Sequence, residues 1–142
     1  MTAKEYLGQA YRLDQRINSK IAQVASLNEM ATKCTTTLSG MPHSPSGSQH
    51  SMADTIDKIV DLQREINRDI DELVDLKVEM VKLIKAVENH EFQTLLEMRY
   101  LCFETWEHIA VDLKYSIHHL YKMHNAALEK IDRLLEDGYL ET

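Results

Sequence analysis

Apolar residues return every three or four positions from Tyr6 to Ala31, and again from Ile56 to Val87. That spacing places each set on one face of an α-helix and leaves no room for the alternation of a strand. In the first segment, running from about Thr2 to Leu38, the repeat is Tyr6, Ala10, Leu13, Ile17, Ile21, Val24, Leu27 and Ala31. Lys, Arg, Asp and Gln fill the other face. The periodicity predicts an amphipathic helix of about nine turns. Thr2 is its N-cap, with Glu5 completing a capping box.

The second segment starts between Ser51 and Asp54 and continues to about Val87. Its repeat is Ile56, Ile59, Leu62, Ile66, Ile70, Leu73, Leu76, Met80, Leu83, Ile84 and Val87. Acidic and basic residues between these form a solvated face with ion pairs three or four apart. Each helix has one apolar stripe, so neither is stable alone and each can cover the other. Ser39 to Ser51 separates them. Two of the 4 Gly, both Pro and a cluster of Ser fall in this stretch, which reads as a flexible loop. Its His43 and His50 are read as solvated side chains, because no acidic or thiol partner is near in sequence. The same stripes can pair within one chain or between copies, and a homo-oligomer through the long helices is expected.

Asn89-His90 interrupts the pattern and marks the joint between residues 1–89 and residues 90–142. A short helix from Glu91 to Cys102 carries Phe92, Leu95, Leu96, Met98, Tyr100 and Leu101. Two more helices follow. Ile109 and Leu113 share a face of the first. Ala110 is small enough for a close crossing. Ser116 caps the second, and Leu120 and Met123 give it an apolar side. With Tyr115 these residues are the expected buried set, and Trp106 anchors the core. Gly138 ends the last helix. The fold expected is all-α: a long antiparallel helical hairpin, coiled-coil-like, followed by a C-terminal helix-turn-helix.

A helix-turn-helix inserts its second helix into a DNA groove. The residues left on the outer side of that helix are Ser116, Ile117, His118, Tyr121, Lys122 and Asn125. Asn125 and His118 are placed to meet base edges, and Ser116, Tyr121 and Lys122 to hold phosphates. Thr105, opening the preceding helix, offers a hydroxyl and amides to a phosphate. Charge opposes strong binding. The net charge is −7, and from Glu91 onward five Lys or Arg face ten Asp or Glu. His108, His118, His119 and His124 are expected to add positive charge below neutral pH.

This half of the chain resembles a known family. Leu95-Leu96-Glu97-Met98-Arg99-Tyr100, Thr105-Trp106-Glu107-His108-Ile109-Ala110, Tyr115-Ser116 and Ala127-Leu128-Glu129-Lys130-Ile131 are similar to the fourth conserved region of bacterial sigma factors. That region binds the −35 promoter element and the flap of RNA polymerase. With the opening Ala3-Lys4-Glu5-Tyr6-Leu7 and the central helix, the whole chain resembles small phage and prophage proteins of Gram-positive bacteria, relatives of ArpU-type late transcription regulators. The resemblance implies a phage transcriptional regulator that binds double-stranded promoter DNA and contacts RNA polymerase inside the bacterial host cell. It carries the reading face onto Ser116, Ile117, His118, Tyr121, Lys122 and Asn125. Lys114 stands where the sigma pattern has Gly in the turn.

Other classes find less support. No Gly-rich phosphate loop, nucleophile with a nearby base, or metal-type spacing is present, so neither an enzyme nor a cofactor or metal is expected. Cys34 and Cys102 read as two reduced thiols. No apolar run is long enough for a bilayer and no signal-peptide core opens the chain, which makes a cytoplasmic protein without membrane contact the expectation. The alternative function is an acidic protein-binding adaptor or inhibitor of RNA polymerase or another host protein, without specific DNA contact.

Overall fold

The computed structural model describes the backbone of residues 1–38 and 45–138, and the side chains of residues 1–33 and 52–138. Among the described residues every regular element is helical: α1 (Ala3–Leu38), α2 (Pro45–Lys85), α3 (His90–Leu96), a π-helical turn (Glu97–Leu101), α4 (Trp106–Leu113) and α5 (Ile117–Glu136). None of these helices is long and apolar enough to cross a membrane. Pro45 to Ser51, read from sequence as loop, open α2. Pro suits the first turn of a helix, where its missing N–H costs nothing. Ser39 to Ser44, His43 among them, and the side chains of His50 and Cys34 lie outside the described residues. Cys102 is an exposed free thiol.

The chain divides into two compact units, 1–13 with 73–142, and 14–72. In the larger unit, Ala3, Leu7 and Ala10 of α1 bury against Met80, Leu83, Ile84 and Val87 of α2 and against Leu96, Ala127 and Ile131. Residues from both sides of position 89 thus share one core. α1 starts as its capping box requires. Glu5 N donates to Thr2 Oγ1 at 3.2 Å, and Thr2 N donates to Glu5 Oε2 at 3.2 Å. The Asp132 carboxylate then accepts from Ala3 N at 2.6 Å, placing a negative group at the positive end of α1.

A second cluster holds the C-terminal helices. Leu95, Ile109, Leu120 and Met123 are buried, with Trp106, Ala110, Leu113 and Tyr115 packed against them. α3 begins at Asn89, whose Oδ1 accepts from Glu91 N and Phe92 N. α3 does not run on as one α-helix to Cys102. It widens at Glu97–Leu101, where Cys102 N reaches back five residues to Glu97 O at 3.0 Å. α4 and α5 are joined by Lys114–Ser116. Lys114 adopts the left-handed region at φ 62°, the conformation for which glycine is the usual choice. Ser116 Oγ then accepts from His119 N at 3.1 Å and caps α5. Gly138, at φ 74°, follows the end of that helix.

In the smaller unit, side chains of α1 and α2 meet at a few positions. Lys20 Nζ bonds Asp69 Oδ2 at 2.6 Å and stands 3.6 Å from Glu65 Oε2, while Leu27 and Leu62 line one shallow cleft. The covered positions of α1 are Asp14, Ile17, Lys20, Val24, Leu27 and Ala31, spaced three or four apart. The covered positions of α2 are Met52, Thr55, Ile59, Leu62, Glu65, Ile66 and Asp69. Here the expected seam needs correction. Ile21, Ile56 and Ile70 are 40–50% exposed, and the charged neighbours Lys20 and Asp69 take the inner positions. A 2.6 Å ion pair makes that exchange tolerable, since each charge is compensated where it leaves water.

Candidate functional site

α5 is held by its apolar side. Leu120, Ala127 and Ile131 are fully buried and Met123 nearly so. At 3.6 residues per turn, His118, Tyr121, Lys122 and Asn125 fall on the opposite side, and all four are exposed. Ile117 is exposed at the start of the helix. The hydroxyls of Ser116 and Thr105 are both occupied as N-caps, Thr105 Oγ1 accepting from His108 N at 3.2 Å. Each of these groups keeps a hydroxyl proton for a further bond.

The seven expected residues do not form one patch. Thr105, Tyr121 and Asn125 border a cleft of about 990 Å³, whereas Ser116, Ile117, His118 and Lys122 are exposed away from it. Lys4 and Arg12 of α1 and Arg99 of the π-helical turn also line that cleft. Sequence reasoning did not find these three cations as a group. Arg12 and Arg99 are more than eighty residues apart, and no local pattern links them. The wide π-helical turn lets the adjacent side chains Arg99 and Tyr100 both reach the cleft wall. Arg99 Nη1 donates to Glu104 O at 2.8 Å, and its guanidinium lies 4.7 Å from the Trp106 ring centroid. Trp106 also meets Tyr121 edge-on at 5.3 Å and His124 at 4.7 Å.

His124 departs from expectation. It is buried, and its Nε2 lies 2.6 Å from the Tyr100 hydroxyl. Burial pushes its pKa down to about 4, and the charges of Lys4 and Arg99 act in the same direction. It therefore stays neutral at physiological pH and adds no cation to this end of the chain. The Tyr100 hydroxyl is its partner in that bond, and burial raises the Tyr100 pKa against an opposing effect of Arg99. Tyr6 is similar, pushed up to about 12 by burial and then by Glu79, which its hydroxyl meets at 3.3 Å.

On the outer side of α4, His108 Nε2 lies 3.7 Å from Glu104 Oε1 and 3.2 Å from Asp112 Oδ2. Glu104 from the segment before α4, with His108 and Asp112 of the helix, brings ligand-type atoms within 4.8 Å of one another, a grouping that sequence reading passed over. His108 is well exposed, and protonation turns the row into two ion pairs along α4.

No curated protein and no solved structure matches this chain. A family model covers residues 42–132, which is more than half of its length and takes in α3, α4 and most of α5. The chain belongs to the family described as protein of unknown function (DUF1492).

Proposed function

We propose that this protein is a DNA-binding transcriptional regulator whose α4, turn and α5 act as a helix-turn-helix, with α5 entering the major groove. One observation carries the reading: α5 is fixed by a fully buried apolar side, while His118, Tyr121, Lys122 and Asn125 stand exposed on the other. The sigma-like sequence motifs of this half agree with it, and extend the reading to phage promoters and to contact with RNA polymerase in a bacterial cytoplasm. Asn125 and His118 read base edges; Lys122, Tyr121, Ser116 and Thr105 hold phosphates. α1 and α2 form a long helical hairpin that serves assembly. Ile56, Val60 and Ile70, exposed off the α1-facing seam, give α2 an apolar stripe suited to a second copy. A dimer raises a weak half-site affinity through effective concentration.

The test is genome-wide capture of DNA by the purified protein at stated ionic strength, followed by mobility shifts on the recovered fragments. Lys122→Ala with Asn125→Ala abolishes the shift, and Lys122→Ala alone lowers the salt slope by about one. An unchanged shift refutes the choice of face.

A second reading rests on charge. Lys122 is the one Lys or Arg among the seven residues, and Glu107 and Asp112 are exposed on α4. An acidic adaptor that engages RNA polymerase or another host protein fits that surface. Pull-down from nuclease-treated lysate separates the two: a retained partner with no DNA affinity favours the adaptor.

A further inference from the structure

The cleft of the larger unit has the opposite electrostatic character to the chain that contains it. The protein carries −7, yet Lys4, Arg12 and Arg99 line this one cleft against a single lining carboxylate, Glu5. None of the three cations forms an ion pair among the described residues. Arg99 has one hydrogen bond, to Glu104 O, and Arg12 has one, to Glu5 O at 3.3 Å. A guanidinium has five N–H donors, so most remain for a ligand. Tyr11 stands beside Arg12 on the same wall, 50% exposed, its ring set by an edge contact with Phe103 at 5.5 Å.

Gly8 adds an independent observation. It sits inside α1, where glycine costs about 1 kcal/mol against alanine. Nothing in the fold demands it: a Cβ there meets only Arg12 Nη1, at 3.4 Å. The missing side chain lets the Arg12 guanidinium lie close over α1 at the cleft wall.

We infer that this cleft binds a nucleotide, its phosphate among Lys4, Arg12 and Arg99 and its base against the exposed ring of Tyr11. A phosphate concentrates charge and acceptor oxygens on one group, which suits three converging cations better than the dispersed carboxylates of an acidic peptide. Base–tyrosine stacking supplies the neutral half of the recognition. The volume of about 990 Å³ is at the upper end for a small-molecule site and holds a nucleotide with room for a strand to continue. The same positive field is felt inside the protein, where Lys4 and Arg99 help keep His124 neutral. Lys4, Gly8, Tyr11 and Arg12 all lie on α1, so this site does not depend on α5 reading a groove.

Trp106, the one tryptophan of the chain, lines the cleft and reports on it. The experiment titrates the full-length protein with adenosine 5′-monophosphate, with a short single-stranded oligonucleotide and with inorganic phosphate, following Trp106 emission. A saturable change with the nucleotide or the oligonucleotide is expected, and whichever saturates at lower concentration identifies the source as free nucleotide or strand. Lys4→Gln with Arg12→Gln weakens it by about tenfold or more, and Tyr11→Ala by a smaller factor. Gly8→Leu, which favours the helix and crowds the Arg12 guanidinium out of place, removes it while circular dichroism stays that of the wild type. Arg16→Ala, which removes an exposed cation of the smaller unit, leaves the change intact. No saturable change with either ligand overturns the inference, as does an equal response to phosphate alone or indifference to the α1 substitutions.

Discussion

The two units are built from the same kind of helix but held together differently. In the larger unit, ten large side chains that include Leu7, Leu83, Leu95, Leu120 and Ile131 are almost wholly removed from water. In the smaller unit, Ile17 and Asp69 are the buried residues among those described, and the other seam positions are half-covered. Two helices lying side by side can shield only one stripe of each. Three or more helices surround a side chain. The larger unit therefore derives its stability from burial, and the smaller one from helix continuity and a single half-covered stripe.

Core truncation gives the sharpest contrast. Leu95→Ala or Leu120→Ala costs about 2–5 kcal/mol in urea unfolding, whereas Leu62→Ala, half-covered, costs roughly 1 kcal/mol. Equal losses at Leu95 and Leu62 break the comparison. Acid acts next, and on the larger unit. His124 has a folded pKa of about 4, below the ordinary 6.5, so the unfolded chain takes up the proton first. The stability this neutral, hydrogen-bonded imidazole contributes is complete above pH 6.5 and is lost as pH falls towards 4. The loss reaches about 2 kcal/mol by pH 5. His124→Gln removes that part of the slope, and the imidazole signal in NMR titrates near 4; a midpoint near 6.5 contradicts the buried pairing.

The smaller unit responds through its ion pair. Asp69→Ala leaves a nearly buried ammonium with only Glu65 at 3.6 Å, and costs about 1–2 kcal/mol. Lys20→Leu combined with Asp69→Leu is neutral or stabilising, because both charges then stay out of the seam. Additive losses in that double variant show that the pair does not form. The smallest effects fall at the α4–α5 joint. Ser116→Ala costs about 1 kcal/mol by removing the cap, and Lys114→Gly gains up to about 1 kcal/mol by relieving the left-handed backbone, both read from thermal unfolding.

Periodicity made the helices legible, and capping chemistry made their ends legible at Thr2, Ser116 and Gly138. The buried side of α5 also followed from Leu120 and Met123. Register was harder. Ile21 and Ile70 look like seam residues by hydropathy, yet burial follows geometry, and one step along each helix put Lys20 and Asp69 inside. An ion pair across two helices leaves no signature in either one alone. The same reason hid the cleft: Lys4, Arg12 and Arg99 converge only when α1 packs beside the π-helical turn, and that turn has no sequence signal comparable to a cap. His124 reads as a surface histidine until α5 is rotated by its apolar side and Tyr100 is set opposite.

The α5 reading is tested most directly by amide NMR of the labelled protein with a captured duplex fragment. Shifts are expected to concentrate at Thr105 and from Ser116 to Asn125, while the amides of residues 14–33 and 52–72 stay in place. Shifts confined to α1 and α2, or none on α5 at low salt, contradict it.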